Sequence, residues 1–386
     1  MSTSVYPEKK KKKRRVIGVV LALVYLSITA YIIISIVSGA ESWGFARFAN
    51  MFSQRPVYLR AGEINFNVGR NRVFADLGGS LAAAGTLGIQ VLDADGNEAL
   101  RESFRMESPA ISAQDGRAIV YDIGGTEIRV FNGTEIVSAI EANGRIVSAT
   151  INPNGWIAVA TQVSGGYRGV VTVHNDRGRD VFRVFLVEEG YVLTAALSPD
   201  NGTLSVLTLR ETGSMISRWE VGRAADGAQS YTSLPDELII DISHLPNGNL
   251  LAVSTGSLIV INRNGSAREI FDFSGRRLGR YAMDSGVIIL HLLDYGVGNS
   301  GRIITLRENG SVIAELEANR EILSMSAAGG YLAVLWSDGL MFYDSRLNEL
   351  PVPEESFSIA GANRVIAVNG AALVAGDYAA VVLARE

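Results

Sequence analysis

The sequence predicts an all-β protein, an eight-bladed β-propeller following one N-terminal transmembrane α-helix. Three observations carry this reading. A unit of apolar strand, Gly-containing turn and second apolar strand recurs eight times. Glycine is abundant, at 41 residues against 9 prolines, without any low-complexity run, as short strands joined by tight turns require. A cluster of cations is followed at once by a long stretch with no charge.

That stretch comes first in the chain. Residues 1–15 form a basic tail in which Lys9 to Lys13, Arg14 and Arg15 oppose only Glu8, a net charge of +6. The whole chain carries −5, so the remainder carries −11. Val16 to Val37 contain no charged residue, and at 1.5 Å per residue they span roughly 33 Å, enough for a hydrocarbon layer of ~30 Å. Residues 16–38 are therefore expected to be a membrane helix. The positive-inside rule then puts the N-terminus in the cytoplasm of a bacterial cell and residues 57–386 outside it. The rival is a cleaved signal peptide, because Ser38-Gly39-Ala40 resembles a cleavage site. Signal-peptide cores run to about 7–15 apolar residues, which favours the anchor. The linker at 39–56 sets Trp43, Phe45, Phe48 and Phe52 near helical spacing, suited to the lipid–water interface.

The repeat decides the fold of the rest. Its units begin at NRVFADLGGSLAAAG (71–85), PAISAQDGRAIVYD (109–122), IVSATINPNGWIAVAT (146–161) and VLTAALSPDNGTLSVLT (192–208). They continue at LIIDISHLPNGNLLAVS (238–254), GRYAMDSGVIILHL (279–292), ILSMSAAGGYLAVLW (322–336) and ANRVIAVNGAALVAG (362–376). A third strand such as EIRVFN or GLMFYD follows each, and most pass through a tight turn into a more polar fourth. Residues 57–386 divided by eight give about 41 per unit, the length of a four-stranded propeller blade. Inner strands should be apolar and outer ones polar, since only the outermost faces water. The eighth unit has three strands, so VYLRAGEINFNV (57–68) is expected to return as its outer edge and close the ring. A seven-bladed ring is the alternative, with the weak second unit absorbed by its neighbour.

Ser198, Pro199, Asp200 and Gly202, with Asn152, Pro153, Asn154 and Gly155, resemble the turns of bacterial propellers built on a WD40-like Ser-Pro-Asp-Gly repeat. No Trp-Asp dipeptide accompanies them. The layout resembles an uncharacterised family of single-helix-anchored bacterial propellers in the WD40-like and quinoprotein-like superfamily. The resemblance implies the fold and brings no activity with it. Quinoprotein dehydrogenases often carry a vicinal cysteine disulfide and a tryptophan-rich repeat, whereas this chain has no Cys and 4 Trp.

Other patterns read as structure. Gly296 to Gly301 match G-x-G-x-x-G, but a dinucleotide loop needs a parallel strand and a helix beside it. Asp93 to Glu98 offer clustered oxygens, yet a calcium loop begun at Asp93 would place Phe104 where a bidentate Glu belongs. His174, His244 and His291 fall in three different blades with no ligand spacing, and no serine has a base named for it. Asn132, Asn201, Asn264 and Asn309 lie in N-G-[ST] sequons and are read as hairpin turns. The absent cysteine rules out a thiolate site or thiol nucleophile, and the lysine-free region after residue 15 rules out a domain lysine. The acidic remainder argues against nucleic acid. No cofactor, metal or catalytic residue is expected, and the enzyme question stays open.

Loops supply the candidate site. Those joining second and third strands open on one face, and the longest are SGGYRG (164–169), RETGSM (210–215) and DYGVGNSG (294–301). Tyr167, Arg168, Arg210, Glu211, Asp294 and Tyr295 combine aromatic and charged groups there. The expectation is a membrane-integral platform that presents an acidic propeller to a protein or cell-envelope partner. The alternative is a propeller enzyme, glycan-active or cofactor-dependent, with its site at the central channel. An enzyme predicts carboxylates or arginines gathered at a ligand-sized pocket. A platform predicts an exposed apolar and charged patch on one rim.

Overall fold

Because each repeat is one antiparallel sheet with two apolar faces, no repeat can exclude water alone, and the units stack around a ring. The computed structural model describes residues 62–384, apart from 65, 79, 94–95, 163–166, 187–189, 224–228, 234–236, 285, 295–297, 352–360, 369–370 and 377–379. The expectations for the tail, membrane helix and linker lie outside these residues, as does Tyr295. Among the described residues no helix is long and apolar enough to cross a membrane. Among the described residues thirty-two strands form eight antiparallel four-stranded sheets, so the domain is an eight-bladed propeller. The weak second unit is a complete blade of Pro109–Gln114, Arg117–Asp122, Glu127–Asn132 and Glu135–Glu141.

Seven blades are sequential meanders. The eighth takes Arg364–Val368, Ala371–Ala375 and Ala380–Ala384 from the end of the described chain and Gly62–Ile64 from its start. Gly62, Glu63 and Ile64 pair with Val382, Val381 and Ala380. Leu81 and Leu92 of the first blade bury against Leu373 and Val382 of the eighth in one apolar cluster. The ring thus closes through both backbone hydrogen bonds and side-chain packing.

Burial corrects one expectation. The strands buried at every position are the middle two of a blade, such as Leu81–Gly85, Gly88–Leu92, Leu250–Ser254 and Ser257–Ile261. The innermost strands, such as Val73–Asp76 and Ile322–Ala328, are mostly half-buried. A middle strand has a hydrogen-bonded neighbour on each side and a blade against each face. An innermost strand has one edge on the central channel.

Five innermost strands, in blades three to seven, share an irregularity near their start. The register shifts between Ile146 and Ser148, Val192 and Thr194, Ile239 and Asp241, Leu278 and Arg280, and Ile322 and Ser324. Each inserts one unpaired residue, a β-bulge that bends the strand and raises its local twist. Leu193 and Ile240 are two of these inserted residues, and both are exposed.

Turn side chains latch neighbouring blades on the opposite face. Buried Asn152 donates from Nδ2 to the Ser198 carbonyl (2.9 Å) and to Asn201 Oδ1 (2.6 Å). Its Oδ1 accepts from the backbone amides of Asn154 and Trp156. The Asn-Pro-Asn-Gly and Ser-Pro-Asp-Asn-Gly turns are thus partners across a blade boundary. The sequon residues Asn264 and Asn309 accept from the amides of Ser266 and Ser311 (3.0 Å each), with Gly265 and Gly310 at φ 87°. Positive φ is cheap for glycine and costly for other residues.

The chain lacks cysteine, so the closure can be probed cleanly. In a Glu63→Cys/Val381→Cys or Ile64→Cys/Ala380→Cys variant, mild oxidation should form an intramolecular disulfide and raise Tm. Gel mobility of the oxidised and reduced forms checks it; failure of both pairs would contradict strand return from the N-terminal side.

Candidate functional site

Strand direction alternates within a blade, so second-to-third-strand loops and blade-to-blade connections share one face. Backbone hydrogen bonds show the two meeting. Gly124 donates to the Ile146 carbonyl and Ile146 to the Gly125 carbonyl, both at 2.8 Å, joining the loop of blade two to the first strand of blade three.

This face collects exposed apolar side chains. Twelve large apolar side chains among the described residues are exposed, and eight stand here. Leu87 and Ile123 occupy the loops of blades one and two. Tyr167 occupies that of blade three and packs on Phe185 at a centroid distance of 5.0 Å. Tyr191 and Leu193 begin the first strand of blade four, and Leu238 and Ile240 begin that of blade five. The other four, Ile136, Val137, Val181 and Val312, belong to outer strands. Apolar exposure therefore runs along one face across five consecutive blades.

The sequence-predicted residues lie on the same face, in separate places. Tyr167 and Arg168 are exposed beside Phe185, and Arg168 donates its amide to the Leu186 carbonyl (2.9 Å). Arg210 turns back onto Met215, with Nη1 at 3.5 Å from the sulfur, and Glu211 is exposed. The loop there is only residues 211–212, because Thr203–Arg210 and Gly213–Glu220 continue as paired strands. Asp294 is engaged in an ion pair, accepting from Arg276 Nε at 2.9 Å, one position beyond the Arg277–Leu293 pair of blade six. No hydrogen bond or ion pair joins the three loops among the described residues.

A second feature of this face arises where the ring closes. A half-open cavity of about 530 Å³ lies between blades eight and one, lined by Arg70, Asn71, Arg72, Phe74, Asn363 and Arg364, with Ala375 and Gly376 behind. Its charged groups come from stretches about 290 residues apart, so no local motif announces it. Arginines at both ends of the repeat array were the available signal, and they become neighbours only through closure.

Buried polar groups elsewhere are structural. Ser205 Oγ lies 3.1 Å from His244 Nε2 across the boundary of blades four and five, a serine–histidine pair the sequence did not reveal. Ser205 is fully buried, so no substrate can meet its hydroxyl. Burial first, then Arg218, lowers the His244 pKa to about 4. His291 is also lowered to about 4, by burial first and then by Arg280 and Arg277. Buried His174 lies 2.9 Å from Asp180, and its pKa is lowered chiefly by burial. Asp241 accepts from the Tyr281 hydroxyl between blades five and six, and burial raises the pKa of both groups. The Asp93 carboxylate receives the amide of Asn97 (2.9 Å), as a turn does. The G-x-G-x-x-G stretch joins antiparallel partners, Leu293 opposite Gly301. No group of three His, Asp or Glu suited to a metal ion occurs among the described residues.

A family model described as a family of unknown function, DUF5711, matches residues 62–350. The chain belongs to the DUF5711 family. The match includes the strand from the N-terminal side and seven blades, and ends before the three C-terminal strands of the eighth. No curated protein matches the sequence. The computationally designed protein Ika8 has a similar crystal structure, with a TM-score of 0.58 and 12% identity over 86% of this chain and 100% of that one. BamB from Moraxella catarrhalis gives 0.53 and 14% identity over 84% and 98%. The dihydro-heme d1 dehydrogenase NirN gives 0.53 and 14% over 81% and 73%. At these identities the likeness is one of fold alone.

The histidines make stability depend on pH. A buried histidine with a depressed pKa stays neutral while the unfolded chain begins to bind its proton near pH 6.5. Stability is therefore complete above that value and falls as pH drops toward 4, by roughly 3 kcal/mol for His244 or His291. Both ring nitrogens of His291 lack a hydrogen-bond partner among the described residues. Urea unfolding at pH 7 and pH 4.5 should show a smaller acid loss for His291→Gln than for the unaltered protein. Raised Asp241 acts in the opposite direction in both proteins and cancels from the comparison.

Proposed function

We propose that this protein is a membrane-anchored, extracytoplasmic propeller that serves as a protein-docking platform. The observation that carries the reading is the concentration of exposed apolar side chains on one face, from Leu87 in blade one to Ile240 in blade five. Exposed apolar side chains gathered on one face of a domain are the kind of surface that protein partners cover. Propeller loops on a rigid ring suit that task, because the ring fixes their spacing and the partner orders little on binding. The anchor is supported by the charge-free residues 16–37 behind seven cations.

An enzyme on this ring would need acid–base or nucleophilic groups in its pocket. The described walls of the seam cavity offer arginine, asparagine and apolar groups, which bind anions but do not move protons near neutral pH. The docking reading is favoured for that reason.

Two measurements test it. All five lysines lie between Lys9 and Lys13. A membrane-impermeant amine reagent should leave the chain unlabelled on intact cells and label it after permeabilisation; labelling of intact cells would reverse the topology. A photoactivatable residue at Tyr191 should capture one stoichiometric protein from intact membranes. Ile240→Asp should abolish capture while leaving Tm within about 1 °C, since exposed substitutions usually cost under ~0.5 kcal/mol. Absence of a stoichiometric partner, or capture unaffected by Ile240→Asp, would overturn the platform.

A further inference from the structure

Blade six departs from its neighbours at the bulge. The inserted residue is Val147, Leu193, Ile240 and Leu323 in blades three, four, five and seven, but Gly279 in blade six. The residue after each bulge pairs with the second strand at Ala160, Leu207, Val253 and Leu335, but at His291 in blade six. Four blades thus fill this place with an apolar side chain, and one fills it with an imidazole that is only 5% exposed. Neither ring nitrogen has a hydrogen-bond partner among the described residues. Burying a polar group without a partner costs stability, so packing alone does not account for the histidine.

The two departures are coupled. The backbone of Gly279 lies outside the left-handed region, so its conformation does not call for glycine. A Cβ there would stand 2.8 Å from His291 Nδ1, and its absence leaves room for the ring. A bulged residue bows away from its partner strand, here toward the channel mouth, where Gly279 is exposed. Blade six therefore has a notch one residue wide in an otherwise apolar rim.

Two guanidiniums stand beside the notch. Arg277 and Arg280 are exposed and lie opposite Leu293 and His291. Arg280 Nε donates to the Ile322 carbonyl at 3.0 Å, which turns this side of the strand toward blade seven. Both charges reach the imidazole, since both help to depress its pKa. Of the acids flanking this stretch, Asp294 pairs with Arg276 and Asp338 with Arg320. Glu321, Arg277 and Arg280 form no ion pair among the described residues, and residues 295–297 (Tyr-Gly-Val) carry no carboxylate. Guanidiniums and a neutral imidazole N–H are donors that a carboxylate accepts from well. The Tyr281 hydroxyl donates to Asp241, which ties the notch to the strand that carries Ile240.

We propose that the blade-six notch receives an acidic side chain, Asp or Glu, from a segment of the docking protein that is apolar on both sides of it. The assignment rests on the docking reading above and names what the partner must present. Leu193 and Ile240 lie on one side of Gly279 and Leu323 on the other. An acid inside a segment covers both sides, whereas a chain end would leave Leu323 bare.

The test uses the full chain in phosphatidylcholine nanodiscs at low salt, with the peptide acetyl-Leu-Val-Glu-Val-Leu-amide and its Gln counterpart as probes. Calorimetry should show the Glu peptide binding at least tenfold more tightly. Arg277→Gln, at an exposed side chain, should reduce it to the level of the Gln peptide, and Arg268→Gln on the outer strand of blade five should change nothing. His291→Leu supplies the residue that blades four and seven carry; it should raise Tm and also lose the Glu preference, whereas a purely structural histidine would leave that preference intact. Equal binding of the two peptides, binding of neither, or a preference that survives Arg277→Gln would overturn the proposal. So would tighter binding of acetyl-Leu-Val-Leu with a free terminal carboxylate, which would replace the internal acid by a chain end. Photocapture at Tyr191 reports the platform separately. Capture without a Glu preference overturns this site alone, and a Glu preference without capture overturns the platform alone.

Discussion

Closure of the ring is the constraint on which everything else rests. The buried middle strands give each blade two apolar faces, and every blade needs a neighbour on both sides. A linear stack would leave one face bare at each end. Pairing Gly62–Ile64 with Ala380–Ala384 makes one sheet from both ends of the described domain, and the first and last blades then bury one cluster together. The ring needs no disulfide, which suits a chain without cysteine.

The same constraint shapes the two surface features. A ring fixes where loops emerge, so the alternating strand direction sorts connections onto two faces. One face carries the latched Asn152, Ser198 and Asn201 turns, whose hydrogen bonds are consumed between blades. The other carries bulged strand starts, where Leu193 and Ile240 are exposed. At the single junction between first and last blades, two arginine-bearing strand starts meet. The arginine-lined cavity is thus a product of closure.

Much of the architecture was legible because short-range chemistry writes it. Asn-Gly and Asp-Gly turns mark hairpins, and a repeat of about 41 residues can bury its faces only by stacking. The weak second unit was countable by strand pattern, though its apolar content alone left seven blades open. Burial within a blade was less legible. Innermost and middle strands are both apolar in sequence, and the channel-facing edge that separates them belongs to the ring rather than to any segment.

By itself the sequence determined the all-β repeat, the need for a strand from the N-terminal side, and the charge pattern of residues 1–37. It also named loops on the correct face, because strand alternation is a local property. Tertiary structure decided which residues on that face stand together. It placed Asp294 in an ion pair with Arg276, shortened the fourth-blade loop to two residues, and brought Ser205 beside His244. It also set Arg70 and Arg72 against Arg364. The serine–histidine and arginine neighbours lie across blade boundaries, where spacing in the chain carries no information about distance in space.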